Sequence, residues 1–297
     1  MEYARGLRLT SPRGIGSLLI ASVSFGSSAI LVRFATEASA IPLTFFRLSI
    51  AAVVMILFAL SSRTLKLLGK REAMLAVFSG VVLSLHFATF ILAVKETTVA
   101  NATFLVNTSP VMLALLSPLV IRERTSSREL TGVIVATLGV LLVAHAGNGF
   151  RAFGLADLSA LSAAFLIAVY SIVGRYLRTS GVTTACYTSY VYSFAALVSM
   201  LLVGGLGLGL QTFRPYDTQN ILAILGLALV PTVFGHTLYN YALGSVKTVT
   251  ANLFPLLEPI IASLFAVSLF NEVPTVVQTI GYSLILVAVA VVVTRFE

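Results

Sequence analysis

Long apolar runs, separated by short polar punctuation, recur from one end of this chain to the other. They predict helices over residues 14–35, 41–60, 73–94, 99–121, 129–146, 155–176, 183–204, 219–242, 248–270 and 275–294. A helix needs about 20 apolar residues to cross the hydrocarbon of a bilayer, and these runs meet that length. The breaks fall at Thr36-Glu37, Ser61-Ser62-Arg63, Lys95-Glu96, Arg122-Glu123-Arg124, Gly147-Asn148-Gly149, Ser180-Gly181, Arg214-Pro215 and Asn271-Glu272, where polar residues, glycine or proline end a helix. The ten-residue alternation of a membrane β-barrel is not visible. The fold class is therefore an all-α membrane protein with ten transmembrane helices and the lipid bilayer as its partner. Very tight connections make the third and fourth spans, and the eighth and ninth, antiparallel neighbours.

Composition strengthens this picture. The 297 residues are 58% hydrophobic and 10% charged, against about 25% charged in soluble domains. The loops leave no room for a soluble domain with a function of its own. The net charge of +8 follows the membrane and not a nucleic acid. Arg5, Arg8, Arg13, Arg63, Lys66, Lys70, Arg71, Arg122, Arg124, Arg128, Arg175, Arg178, Lys247 and Arg295 fall on one side, 14 in all, and Arg33, Lys95, Arg151 and Arg214 on the other, 4 in all. Cytoplasmic loops carry the excess of Lys and Arg, so both termini are expected in the cytoplasm of a multi-pass protein of the cell inner (plasma) membrane. Arg47 lies within the second span and is set aside in that count. The basic stretch Met1–Arg13 lacks the apolar region of a signal peptide. The lone Cys186 reads as a small packing residue.

The chain carries an internal repeat. Pro110 and Pro259 are 149 residues apart. The same offset pairs Ala93 with Ala242, Ala102 with Ala251, Glu123 with Glu272, Gly132 with Gly281, and Phe90 with Tyr239. In the first helices of each half the offset is 142, pairing Ser17 with Ser159 and Arg33 with Arg175. The halves are residues 1–146 and 147–297, each with five spans. An odd number of spans inserts the second half upside down, the inverted-topology repeat of many secondary transporters, whose substrate site lies near the midplane at the repeat interface.

One stretch breaks the rules of a lipid-facing helix. Asn252-Leu253-Phe254-Pro255-Leu256-Leu257-Glu258-Pro259 places two prolines and a carboxylate inside an apolar run. Proline removes a helical hydrogen bond, and a charge at bilayer depth costs about 2.5–3.5 kcal/mol on insertion scales. Broken backbone is tolerated where it lines a cavity, so this segment is expected along a transport path.

Asn107-Thr108-Ser109-Pro110-Val111 running to Glu123-Arg124, and Leu257-Glu258-Pro259-Ile260 running to Asn271-Glu272, resemble the paired signature of the drug/metabolite transporter superfamily, EamA type. Thr44-Phe45-Phe46-Arg47 resembles that family's second helix. Within it, the chain looks most like the YddG-type exporters of aromatic and other neutral amino acids. The resemblance implies a ten-helix inverted-repeat fold and alternating-access transport. Arg122 and Asn271 depart from it, standing where glycine is common in the family. The halves also differ where Ser109 in the first meets Glu258 in the second.

The candidate substrate-binding residues follow from shared helix faces. His86 with Phe90, and His236 with Tyr239 and Asn240, occupy matched stripes. Each histidine reads equally as cavity lining or as a neutral tie between helices. Asn101, Phe104 and Thr108 share a face; so do Asn252, Pro255 and Pro259. Asn101 is favoured over Asn107 as a lining residue. Ser17, Ala21, Ser24 and Ser28 form a small-residue stripe suited to close packing, with Ser24 or Ser28 at the cavity edge. Tyr170 and Tyr239 are placed to stack on an apolar substrate, whereas Tyr187, Tyr190 and Tyr192 cluster near a span end as a group that includes interfacial anchors. Three readings of Glu258 stay open: a structural or gating carboxylate held by neighbouring helices or a nearby Arg, a contact for a substrate amine, and a proton-coupling group. Pro110, Pro255 and Pro259 are read as helix pivots.

Enzyme motifs are missing: no G-x-S-x-G, H-E-x-x-H or P-loop occurs. Neither a metal site nor a cofactor is expected. The reading is a secondary transporter, an exporter, of amino acids and related small metabolites by alternating access. The alternatives are another organic metabolite or drug and, behind these, a channel or an intramembrane enzyme. A small-molecule substrate is the expected partner; the oligomeric state stays open, and a monomer is compatible with the sequence.

Overall fold

The apolar runs fold as helices in the computed structural model, which describes residues 11–148, 154–270 and 273–294. Among those residues no β-strand occurs. The first half contains α1 (Pro12–Gly26), α2 (Ser28–Phe34), α3 (Ala40–Ser61), α4 (Lys70–Glu96), α5 (Val99–Val106), α6 (Ser109–Val120) and α7 (Ser127–Asn148). The second contains α8 (Leu155–Thr179), α9 (Thr184–Gly205), α10 (Thr218–Leu227), a π-helical stretch (Ala228–His236), α11 (Thr237–Ala242), α12 (Thr248–Leu253), a 3-10 turn (Phe254–Leu257), α13 (Glu258–Phe270) and α14 (Val276–Val293). Four features of the sequence lie outside the described residues: the Asn271-Glu272 motif, the cations Arg5, Arg8, Arg151 and Arg295, the glycine at 149, and most of Met1–Arg13.

Nine helical stretches of the described residues are long and apolar enough to cross a membrane. The expected span at 248–270 is the exception, because it is broken into α12, the 3-10 turn and α13. Pro255 and Pro259 each lack an N–H for the helical ladder. The hydroxyl of Ser22 on α1 donates to the carbonyl of Phe254 at 2.8 Å, so a backbone acceptor freed by the break is satisfied from another helix. The fourth span is interrupted too, at Asn107-Thr108 between α5 and α6, with Pro110 in the first turn of α6. The eighth is distorted around Pro231 into π-helix, where the Thr232 hydroxyl donates back to Leu227 O at 2.7 Å.

The helices pack across the halves. α7 lies on α14, α3 on α9, α4 on α8, and α1 on the π-helical stretch and α11. The α7–α14 seam is set by glycine. A Cβ on Gly139 would stand 2.7 Å from the Gly281 carbonyl oxygen, and one on Gly281 would stand 2.6 Å from that of Gly139. A Cβ on Gly132 would likewise stand 3.4 Å from the Ala288 carbonyl oxygen. Adding 149 to 132 and to 139 gives 281 and 288, so the second contact is the first with the halves exchanged. Small residues let helices approach where lipid supplies no hydrophobic drive between them.

The aromatic residues of α9 correct one expectation. Tyr187 and Tyr192 are fully buried, with hydroxyls held by Ser79 at 2.6 Å and by the Thr232 carbonyl at 3.2 Å. Only Tyr190 keeps an exposed hydrogen bond, to Lys66 O. Their place near a span end in sequence conceals that α9 is sandwiched against α3 and α4.

Candidate functional site

The breaks in the two central spans open onto one cavity. Val106, Asn107 and Ser109 reach it from the α5–α6 break, and Asn252, Pro255 and Glu258 from the α12–α13 break. Val106 and Pro255 differ by 149, as do Ser109 and Glu258, so equivalent positions of the repeat converge on the same space. The wall is completed by Phe25 of α1, Ser28 of α2, Arg47 of α3, His86, Phe87 and Phe90 of α4, Ile167 of α8, His236 and Tyr239. Counted together with its open mouth, the empty space is about 580 Å³.

Its wall is mainly apolar and aromatic. His236 meets Phe25 and Phe87 edge-on at 4.9 Å, and the rings of His86 and Phe90 lie nearly parallel. Much of the polar lining is already engaged. Asn252 accepts from Ser109 Oγ at 3.1 Å and donates to Ser171 Oγ and the Tyr239 hydroxyl. That network ties α6, α8, α11 and α12 together. His86 Nδ1 is hydrogen-bonded with Ala163 O at 2.8 Å.

The charged lining is different. Arg47 is 1% exposed and Glu258 8% exposed. Arg47 Nε donates to Thr232 Oγ1 at 2.5 Å, and the guanidinium lies 3.7 Å over the ring of Phe87. Its Nη1 has no hydrogen-bond partner; neither has Glu258 Oε1, and the two residues form no ion pair with each other. Asn107 Nδ2 and His236 Nδ1 are also buried and unpartnered. Native structures satisfy the great majority of buried polar groups, and an uncompensated buried charge is costly. The cavity thus concentrates a cation, an anion, an amide donor and an imidazole nitrogen that the protein itself leaves unmatched.

A second charged cluster lies toward the end of the molecule where α6 meets α12. Glu123 Oε1 accepts from Arg175 Nε at 3.1 Å, and Glu123 Oε2 accepts from the backbone N of Thr248 at 2.8 Å and from its hydroxyl. Arg175 also donates to Leu243 O at 2.7 Å. Glu129 accepts from Ser126, Thr250 and Lys247. Two of the cations assigned to one side, Arg175 and Lys247, thus meet there, while Arg33, Lys95 and Arg214 donate to carbonyls of Thr97, Ala35 and Glu37.

The sequence matches the EamA-like transporter family over residues 12–145 and again over 154–294. The chain belongs to that family. Among its relatives is an uncharacterized transporter of Archaeoglobus fulgidus, 27% identical over 80% of this chain and 82% of its own length. Another is a probable amino-acid metabolite efflux pump of Salmonella typhimurium, 28% identical over 61% of this chain and 63% of its own. A solved crystal structure shares the fold at a TM-score of 0.76 and 19% identity, covering 94% of this chain and 96% of that one.

In this EamA-like transporter the residues expected at the site divide in two. Ser28, His86, Phe90, His236, Tyr239, Asn252, Pro255 and Glu258 come together at the cavity. Ser24, Asn101, Phe104, Thr108, Tyr170 and Asn240 stand outside its lining. Asn101 is drawn to the end of α5, where its amide donates to Asp157 and to Thr97 Oγ1. Thr108 and Ser24 return their hydroxyls to their own helices, and Phe104 packs into the core beside α7 and α14. Asn240 donates to the Tyr170 hydroxyl at 2.6 Å, behind the wall. Pro110 and Pro259 sit at helix starts beside the cavity without lining it.

The lining also includes residues the helix faces did not single out: Phe25, Arg47, Phe87, Asn107 and Ile167. Arg47 had a signal, being a cation within a span, where an ionisable residue faces the bundle or a wet cavity. Asn107 was masked by treating the fourth span as one regular helix; the break turns it inward. Among the described residues no group of three or more His, Cys, Asp or Glu is arranged to hold a metal ion.

Proposed function

We propose that this chain is a secondary transporter that exports amino acids, aromatic and other neutral ones first, by alternating access. The observation that carries this reading is the cavity at the two central breaks. It has aromatic and aliphatic walls with one buried cation and one buried carboxylate, neither saturated. A zwitterion with an apolar side chain matches that inventory: two opposite charges and a large apolar surface. A phosphate would require several converging cations, and Glu258 would repel it. The relative described as an amino-acid metabolite efflux pump agrees with this substrate class.

In this reading the chain spans the inner membrane ten times, the broken 248–270 segment included, with both termini cytoplasmic. The halves 1–146 and 147–297 insert in opposite senses. The exchange symmetry of the α7–α14 contacts supports that arrangement. The halves rock about the breaks near Pro110, Pro255 and Pro259. The Glu123–Arg175 cluster locks one side of the cavity while the other opens.

The test is counterflow in proteoliposomes. Purified protein is loaded with unlabelled amino acids and offered labelled phenylalanine, leucine and alanine, with and without a pH gradient. Saturable exchange of phenylalanine or leucine is expected. If none of the panel exchanges under any gradient, the substrate assignment is wrong. A flux that does not saturate identifies a channel.

A further inference from the structure

We propose that Arg47 is the group that recognises the substrate carboxylate, so that the transporter selects for a free carboxylate and rejects the corresponding amides and amines. This rests on reading the central cavity as the amino-acid site, and it adds the residue and the chemical feature that set specificity.

The argument starts from what holds Arg47 in place. It lies in α3, whose other buried positions are apolar except for Thr44, and it is 1% exposed. A buried arginine kept for structure is normally matched by an acid or by carbonyls, as Arg175 is by Glu123 and Leu243 O. Arg47 is matched by neither. Its Nε is held by a neutral hydroxyl, Thr232 Oγ1, and its flat face by the ring of Phe87. Thr232 is itself oriented by the π-helical stretch, because its hydroxyl proton is spent on Leu227 O. The oxygen must therefore accept from Arg47. These contacts fix the guanidinium in plane and direction while leaving Nη1 buried and unpaired.

A rigid planar donor fork with an open edge fits a carboxylate. Asn107 Nδ2 supplies a second unpaired donor in the same cavity. Glu258, with an unpaired oxygen, supplies the acceptor for an ammonium. One cation and one anion that do not pair with each other leave places for both ends of a zwitterion, and a ligand lacking either end leaves one buried charge unmatched. Sites built around a polar contact discriminate strongly against analogues that lack it, because the site's own groups are then orphaned.

The experiment measures competition against labelled phenylalanine counterflow in proteoliposomes by phenylalanine, phenylalaninamide and phenethylamine, for wild type, Arg47→Lys and Arg47→Gln. In wild type the amide and the amine are expected to compete at least about tenfold more weakly than the amino acid. Arg47→Gln is expected to weaken phenylalanine by a similar factor while leaving the amide unchanged, so that discrimination disappears; Arg47→Lys retains part of it. A purely structural role would weaken all three ligands together. If the amide competes as well as phenylalanine in wild type, the Arg47 assignment falls while transport stands. If phenylalanine is not exchanged at all, the amino-acid reading falls and this inference with it. Should Arg47→Gln fail to fold, equal competition by the amide in wild type still overturns the assignment, and reduced discrimination in Arg47→Lys still supports it.

Discussion

Glu123 and Glu258 are both held among helices of an apolar bundle, and their surroundings are opposite. Glu123 has both oxygens occupied, by Arg175, by the first backbone N–H of α12 and by the Thr248 hydroxyl. Glu258 begins α13 with one oxygen unpartnered, in a cavity whose cation forms no ion pair with it. The first carboxylate joins the halves by satisfying donors that α12 would otherwise leave open, since a helix N-terminus presents free N–H groups. The second has an oxygen, Oε1, that accepts no hydrogen bond within the chain. The two carboxylates thus differ in whether their oxygens have partners. The expectation that a nearby arginine or neighbouring helices would saturate Glu258 is not met at Oε1.

The sharpest way to break this contrast is Glu123→Ala. Removing one member of a largely buried pair strands the other, at up to about 3–5 kcal/mol. The variant is expected to lose that much stability, read as unfolding free energy in mixed micelles. A loss below about 1 kcal/mol would mean that the cluster is not holding the halves together. Glu258→Gln is the counterpart. Transport is expected to fall at least about thirtyfold, near 2 kcal/mol, while the midpoint of unfolding stays level or rises, because an unmatched buried charge has been removed. Full transport with unchanged pH response would deny Glu258 both substrate contact and proton coupling.

Gly139→Ala serves as a control remote from both carboxylates. Its Cβ would press on the Gly281 carbonyl oxygen, and overpacking of this kind costs about 1–3 kcal/mol. Stability is expected to fall while the KM for substrate holds; a shifted KM would show that the α7–α14 seam takes part in the site. The smallest effect is expected at Arg122, whose backbone has a φ of 56°. That left-handed conformation costs an L-residue about 1–2 kcal/mol, a cost glycine escapes. Arg122→Gly is expected to recover about 1 kcal/mol of stability with transport unchanged. A destabilised Arg122→Gly would mean that the side chain, beside Glu123, makes a needed contact.

Much of the architecture was legible because the bilayer imposes local rules. Length and hydropathy located the spans, Pro110, Pro255 and Pro259 marked where the central spans break, and the repeat offset paired Ser109 with Glu258, both of which line the cavity. Glu258 stood out as a carboxylate between prolines. Helix faces predicted inward direction less well. Asn101, Phe104 and Thr108 share a stripe, yet none of them lines the cavity, because the span breaks at Asn107-Thr108.

By itself, then, the sequence determined a polytopic helical membrane protein with a duplicated plan and a polar, proline-broken centre, because hydrocarbon tests each segment for apolar length and backbone satisfaction one segment at a time. Only the tertiary structure decided which buried groups are completed and which are left open. Arg47 meets Thr232 across 185 residues, Glu123 meets Thr248 across 125, and Glu258 meets no partner at Oε1. Hydrogen bonding is settled between atoms a few ångströms apart, and those atoms come from helices that the order of the chain keeps far from one another.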